Sequence, residues 1–200
     1  MTLEITGQSF KIMTITINGN GTVTGISAGG LPDGCIQEAD LAADVNTIIH
    51  ADQWRVNTAF AGNAEPIASN WERVDSSGMG TVGSAMTQSS GIFTFPATGI
   101  WDVEVVLNSE HDADVSYIQL ELKVTTNNSS YVDRAFGWTH ITDGANSPFW
   151  TFTKARALID VTDTAQVKVK FAVQDRIDSA HQGHTDYNAT YATFIRVGDT

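Results

Sequence analysis

Residues 91–107 read GIFTFPATGIWDVEVVL, and this stretch decides the fold class. Before Pro96 the chain alternates, with Phe93 and Phe95 separated by a smaller residue. After Gly99 the alternation resumes, with apolar positions at Trp101, Val103, Val105 and Leu107 and carboxylates at Asp102 and Glu104. A period of two places the apolar set on a buried strand face and the carboxylates on a wetter one. The short Pro/Gly connection predicts that the two strands form an antiparallel hairpin.

The same alternation recurs through residues 51–200, between clusters of Gly, Asn, Asp and Ser. The strands it predicts, in chain order, are Gln53–Phe60, Gly91–Phe95, Gly99–Leu107, Val115–Thr125, Tyr131–Ile141, Phe149–Val161, Gln166–Gln174 and Thr190–Val197. Short strands at this spacing, without a long helical period between them, predict an all-β antiparallel sandwich.

Residues 1–50 differ in sequence pattern from the rest of the chain, which predicts a separate N-terminal segment. Strand-like residues 12–17 and 22–24 flank Asn18-Gly19-Asn20-Gly21, a turn signal, so we expect a small β-hairpin. Apolar residues then recur at helical spacing and predict a short helical linker: Ile36, Leu41, Val45 and Ile48 or Ile49. This linker either packs on its own domain or forms a three-stranded stem. An isolated two-stranded hairpin is only marginally stable in water, so we expect it to pack against another chain or a larger assembly.

Composition excludes several classes of protein. The net charge is −12, with 11 Lys and Arg residues in 200, which argues against sequence-independent nucleic-acid binding. No apolar run approaches the roughly 20 residues of a membrane span, so we expect no membrane insertion. The acidic, polar N-terminal segment does not resemble a signal peptide. Cys35 is the single cysteine and cannot form an internal disulfide.

The segment from Gln53 to the last strand resembles the C1q/TNF-like jelly roll. The resemblance rests on the Trp54–Phe60 strand, the Gly91–Leu107 stretch, the strands around Tyr117 and Trp138, and the closing Ala192-Thr193-Phe194-Ile195. It implies a compact homotrimer with aromatic residues near the three-fold axis. The aromatic residues expected in the subunit core or the trimer interface are Trp101, Phe93, Phe95, Trp138 and Phe194.

The N-terminal run TITINGNGTVTGISAGGLPDG, residues 14–34, is similar to the opening of tail-fibre and other virion surface proteins of marine bacterial viruses. Together the two resemblances imply a bacteriophage structural protein on the virion exterior, on the tail or the capsid. Residues 1–50 would dock to other virion proteins, and residues 51–200 would face outward. The favoured function is a trimeric short tail fibre or receptor-binding spike. The alternatives are a capsid decoration or vertex protein without a host receptor and, less favoured, a polysaccharide-degrading spike.

Catalytic motifs do not stand out, and we expect a binding protein rather than an enzyme, without a cofactor. The segment DSAHQGHTDYN, residues 178–188, combines imidazole and carboxylate groups. Its candidate ligands for zinc or another divalent cation are Asp178, His181, His184 and Asp186. The same polar segment also fits a solvated loop. Residues 108–114 concentrate oxygen ligands that suit calcium, or form an exposed acidic loop.

Aromatic residues beside the predicted loops suggest a contact surface. Tyr131 and Tyr187 adjoin loop segments, and His181 and His184 share the segment of Tyr187. Tyrosine offers a flat apolar ring with a polar tip, which suits stacking on a sugar or packing on a protein. We therefore expect these four side chains to contact a host cell-surface glycan or protein.

Overall fold

The computed structural model describes residues 16–17, 23–24, 48–142 and 148–200. The chain divides into two units, Met1–Val45 and Asn46–Thr200. The boundary predicted from the sequence lay between residues 50 and 51. Among the described residues, no helix has the length and apolar character needed to cross a bilayer.

The first unit contains a two-stranded ladder. Strand β1 (Thr16–Ile17) pairs antiparallel with β2 (Val23–Thr24), and Thr16 lies opposite Thr24. The turn itself, the remainder of the predicted hairpin and the predicted helical linker lie outside the described residues.

The second unit is all-β over its described residues. Its strands are β3 (Ala51–Val56), β4 (Phe60–Ala61), β5 (Trp71–Arg73), β6 (Thr87–Ser89), β7 (Ile92–Thr94), β8 (Gly99–His111), β9 (Val115–Thr125), β10 (Tyr131–Ile141), β11 (Phe149–Val161), β12 (Lys168–Asp175), β13 (Ala180–His181) and β14 (Tyr191–Gly198). The predicted strand Gln53–Phe60 is therefore wrong in its second half, because β3 ends at Val56 and Phe60 begins the separate strand β4.

These strands form two antiparallel sheets. The five-stranded sheet has the order β10-β9-β12-β7-β6. The seven-stranded sheet has the order of pairing β4-β13-β8-β14-β3-β5. Strands β13 and β14 pair with successive parts of one side of β8, and β11 pairs with its opposite side. The β8–β11 ladder is the longest in the molecule, running from Gly99 opposite Val161 to His111 opposite Phe149. Two antiparallel sheets with these crossed connections confirm the predicted jelly-roll sandwich.

The hairpin predicted within residues 91–107 is wrong. Strand β7 pairs with β6 and β12 in the five-stranded sheet, whereas β8 pairs with β11, β13 and β14 in the seven-stranded sheet. Pro96 and Gly99 therefore carry the chain from one sheet to the other. Two alternating strands give the same sequence pattern whether they pair side by side or face each other across a core. The predicted buried face is confirmed, because Phe93 and Trp101 are almost fully buried.

Aromatic rings fill the space between the sheets. Phe93 lies at the centre, with its ring centroid 5.1 Å from that of Phe194, 5.2 Å from Trp71 and 5.5 Å from Phe171. The Phe95 and Trp101 rings lie 5.2 Å apart. Burial of one such side chain contributes about 1.5–3 kcal/mol. The core therefore holds the two sheets face to face.

Candidate subunit interface and outer loops

Strands β10 and β11 close the same edge of the sandwich from opposite sheets. A Cβ atom on Gly137 of β10 would lie 2.3 Å from the Lys154 carbonyl oxygen of β11, so only glycine permits this approach. Further along, the hydroxyl oxygens of Thr139 and Thr151 lie 2.5 Å apart. The two strands therefore meet directly, and their outward-facing side chains lie on either side of one edge.

Large apolar side chains are exposed along this edge. On β11 the inward positions include the buried residues Ala155 and Ile159, and the outward positions also carry apolar residues. We call the exposed set the edge patch: Val132 (50% exposed), Phe136 (40%), Trp138 (62%), Trp150 (59%), Phe152 (62%) and Leu158 (69%). Single exposed apolar residues are ordinary, but a concentration of this kind on adjoining strands makes the edge patch the candidate interaction surface.

Hydrogen bonds and stacking hold the rings of the edge patch in place. The Trp138 indole N–H donates to Gln119 Oε1 at 2.8 Å, and the Phe136 and Trp138 rings stack with centroids 5.2 Å apart. The Trp150 indole N–H donates to Glu110 Oε2 at 3.0 Å. Aromatic rings that are ordered before a partner arrives lose little conformational entropy on binding. The edge patch is therefore preorganised for a contact.

Paired charges lie beside the edge patch on the outer face of the seven-stranded sheet. Arg156 Nε donates to Asp102 Oδ1 at 2.8 Å, and Lys154 Nζ lies 3.3 Å from Glu104 Oε2. The hydrogen bonds and charge of Asp102 raise the pKa of Arg156. These pairs separate Phe152 from Leu158 along β11. The edge patch is therefore interrupted on β11 by two ion pairs, and Leu158 lies beyond them.

The five aromatic residues predicted for the core or the interface fall into a buried group and one exposed residue. Four of them are core residues with at most 1% exposure: Trp101, Phe93, Phe95 and Phe194. The fifth, Trp138, belongs to the edge patch. Sequence reasoning missed the patch residues of β11, although the signal was present, because apolar residues occupy both parities of the run from Phe149 to Val161.

His181 lies inside the subunit, where the predicted binding loop would have left it solvated. It is fully buried, with Nδ1 2.8 Å from Ser109 Oγ and Nε2 3.1 Å from the Gly62 carbonyl oxygen. Because a carbonyl accepts only, Nε2 carries the proton and Nδ1 accepts from the Ser109 hydroxyl. Burial lowers the pKa of His181, although the nearby Asp175 carboxylate and the Gly62 carbonyl partly offset this shift.

The predicted metal ligands are not brought together. His181 uses both ring nitrogens in the bonds described above, while His184 stacks on Tyr187 with centroids 3.9 Å apart. Asp178 lies against Gly62, and the side chain of Asp186 is 83% exposed. In the part of the chain that the structure describes, no three His, Cys, Asp or Glu side chains are grouped as metal ligands would be. This statement includes the acidic segment of residues 108–114.

The two tyrosines predicted to bind a ligand differ in exposure. Lys170 Nζ lies 4.7 Å above the centre of the Tyr131 ring, which is partly buried, and burial raises the pKa of its hydroxyl. Tyr187 is 58% exposed, and its ring stacks on His184. Only Tyr187 therefore offers an open aromatic surface of the kind the sequence suggested.

Comparison with solved structures identifies the fold. The Eiger TNF of S. frugiperda superposes with a TM-score of 0.55 at 14% identity, covering 77% of this chain and 96% of that one. Murine APRIL gives a TM-score of 0.54 at 9% identity, covering 74% of this chain and 98% of that one. The chain has a TNF-like jelly-roll fold. No protein-family model and no curated protein matches its sequence.

Proposed function

We propose that this protein is a structural and binding protein of a bacteriophage virion, a homotrimeric short tail fibre or receptor-binding spike. The edge patch is the observation that carries this proposal. Its three most exposed members, Trp138, Phe152 and Leu158, are each more than three-fifths exposed, and Trp is among the residue types that dominate binding energy at interfaces. A second copy of the chain is the partner that covers them.

We infer that the subunits form a ring. The edge patch lies along the edge closed by β10 and β11, and this edge packs against a different surface of the next subunit. Such head-to-tail contacts generate closed rings when the rotation between subunits permits. The resemblance to the C1q/TNF-like jelly roll implies closure at three subunits. Apolar side chains along this edge would then be removed from water by the neighbouring copy.

A trimer increases the overall affinity that weak contacts at the outer loops provide. Three copies of one millimolar site, held at fixed spacing, bind a multivalent surface far more tightly than one copy does. Residues 1–50, which resemble the opening of virion surface proteins, attach the trimer to the particle. Binding, rather than cleavage, of a host cell-surface glycan or protein is the activity that follows, and the protein lies on the virion exterior.

Imaging of the intact particle tests this proposal. Antibody fragments against residues 51–200, viewed by electron microscopy on purified virions, are expected to mark the tail in multiples of three copies. Labelling of capsid vertices instead would favour the decoration protein. Absence of label from purified virions would overturn the proposal in both forms. A reducing-sugar assay on host envelope polysaccharide is expected to show no cleavage, and release of sugar ends would replace adhesion with catalysis.

A further inference from the structure

Tyr187 presents an aromatic ring that is fixed on one side and open on the other. Its ring lies nearly parallel to that of His184, with centroids 3.9 Å apart and an interplanar angle of 17°. The residue is nevertheless 58% exposed. Because His184 covers only one ring face, the remaining face is available to a flat ligand. Stacking on this face needs no rearrangement of the tyrosine.

The loop that carries this ring is anchored through its backbone. The His184 amide donates to the Val56 carbonyl oxygen at 2.9 Å, and the Asp186 amide donates to His184 Nδ1 at 3.0 Å. A Cβ atom on Gly183 would lie 2.5 Å from the Thr58 carbonyl carbon, so glycine alone allows this close approach. These contacts set the position of Tyr187 before any ligand binds.

Two exposed carboxylates are carried by the segments that meet beside Tyr187 in the chain. Asp186 precedes Tyr187 in the chain, and its carbonyl oxygen accepts from Ser76 Oγ at 2.8 Å. Asp75, next to Ser76, is held by the buried Arg55 guanidinium at 2.7 Å. The side chains of both aspartates are 83% exposed. The loop surface therefore combines one open ring with hydrogen-bond acceptors at its margin.

The chemistry of these groups selects a class of ligand. A pyranose has an apolar face of C–H groups, which the electron-rich face of an aromatic ring attracts. Its rim of hydroxyl groups donates hydrogen bonds, and carboxylates accept such bonds strongly. Anionic sugars are disfavoured, because the two aspartates and the net charge of −12 repel them.

We propose that Tyr187, with the Asp75 and Asp186 carboxylates, binds an uncharged pyranose of a cell-surface glycan. This inference rests on the proposed role in host attachment and names the ligand class of its outer loops. His184 is the positioning residue, since it supports the ring face opposite the sugar. Each copy binds weakly, and the trimer multiplies the contact.

Saturation-transfer NMR on the full chain tests the site, with methyl glycosides of mannose, glucose, galactose and N-acetylglucosamine as probes and methyl glucuronide as the anionic control. At least one neutral glycoside is expected to bind in preference to the glucuronide. Tyr187→Ala is expected to weaken that binding roughly tenfold, the size of one aromatic stacking contact. Tyr187→Phe is expected to retain it, and Tyr131→Ala serves as a matched control.

Sedimentation of the same samples separates this inference from the proposed trimer. Tyr187 is not part of the edge patch, so the Tyr187→Ala variant is expected to keep the mass of the wild-type assembly. A trimer that binds no neutral glycoside, prefers the glucuronide or loses nothing in Tyr187→Ala would overturn the sugar site alone. A monomeric wild type that still binds through Tyr187 would support the sugar site and overturn the trimer.

Discussion

Aromatic side chains occupy two contrasting regions of this molecule. In the core, Phe93 touches rings from both sheets and is inaccessible to water. In the edge patch, Trp138 and Trp150 project from strands of similar composition and are about 60% exposed. Both regions arise from period-two alternation, but β11 in particular carries apolar residues on both of its faces. One apolar face per strand is enough to build the core, whereas a second apolar face leaves large side chains exposed to solvent.

The core should respond most strongly to substitution. Phe93→Ala removes a ring that contacts Trp54, Trp71, Phe171 and Phe194. We expect the free energy of unfolding to fall by about 3–5 kcal/mol, because the cavity leaves those neighbours without contacts. Urea denaturation followed by tryptophan fluorescence measures this change. A loss below about 1 kcal/mol would mean that the sheets do not depend on this ring.

The edge patch should respond in assembly rather than in folding. Trp150→Ser is expected to weaken subunit association by about 2 kcal/mol or more at each contact, while the unfolding of the dissociated chain changes little. Analytical ultracentrifugation over a dilution series measures the shift toward monomer. Val197→Ser is the matched control, since Val197 is 55% exposed on β14 outside the patch. Equal behaviour of the two variants would remove Trp150 from the interface.

Much of the strand pattern behind this contrast could be predicted from the sequence. The predicted bounds of β9, β10 and β11 agree with the structure at both ends, because these long runs lie between clear clusters of Asn, Asp, Gly and Ser. Strands β5, β6 and β13 were missed, since two or three residues carry no period. Alternation also cannot reveal which strand lies next to which, so the hairpin at residues 91–107 was misassigned.

The candidate site was less predictable, for a related reason. His181 lies in a polar segment that reads as a solvated loop, yet β13 pairs with both β4 and β8 and draws its imidazole into the interior. Trp138 was grouped with interface or core residues, and the structure leaves it 62% exposed on the edge strand β10. Burial of these residues is decided by strand order, which short-range sequence pattern does not contain.

The buried histidine should make stability depend on pH. Burial depresses the pKa of His181 below its ordinary value of 6.5, so the unfolded chain binds a proton more readily than the folded one. Stability is therefore full above pH 6.5 and declines as the pH falls below it. Urea midpoints between pH 7.5 and pH 5 measure this slope, which His181→Asn should reduce. Equal slopes in the wild type and in His181→Asn would contradict the assignment.

An ion-pair cluster on the five-stranded sheet should give the smallest effect. Partial burial alone would raise the pKa of Glu65, but its bonds to Lys170 and Lys123 lower it overall. Its stabilising contribution is present above the ordinary pKa of 4.5 and is lost as the pH falls through the folded value. Because Glu65 is about half exposed, Glu65→Gln should cost less than about 1 kcal/mol in urea denaturation at pH 7. A larger cost would place this cluster alongside the core.

The central claim is that a second and a third copy of the chain cover the edge patch. Sedimentation equilibrium of the full chain at micromolar concentration tests it most directly. We expect a single species with three times the chain mass of 21.5 kDa. A species of 21.5 kDa across the whole concentration range would leave Trp138, Trp150 and Phe152 in water and would contradict it.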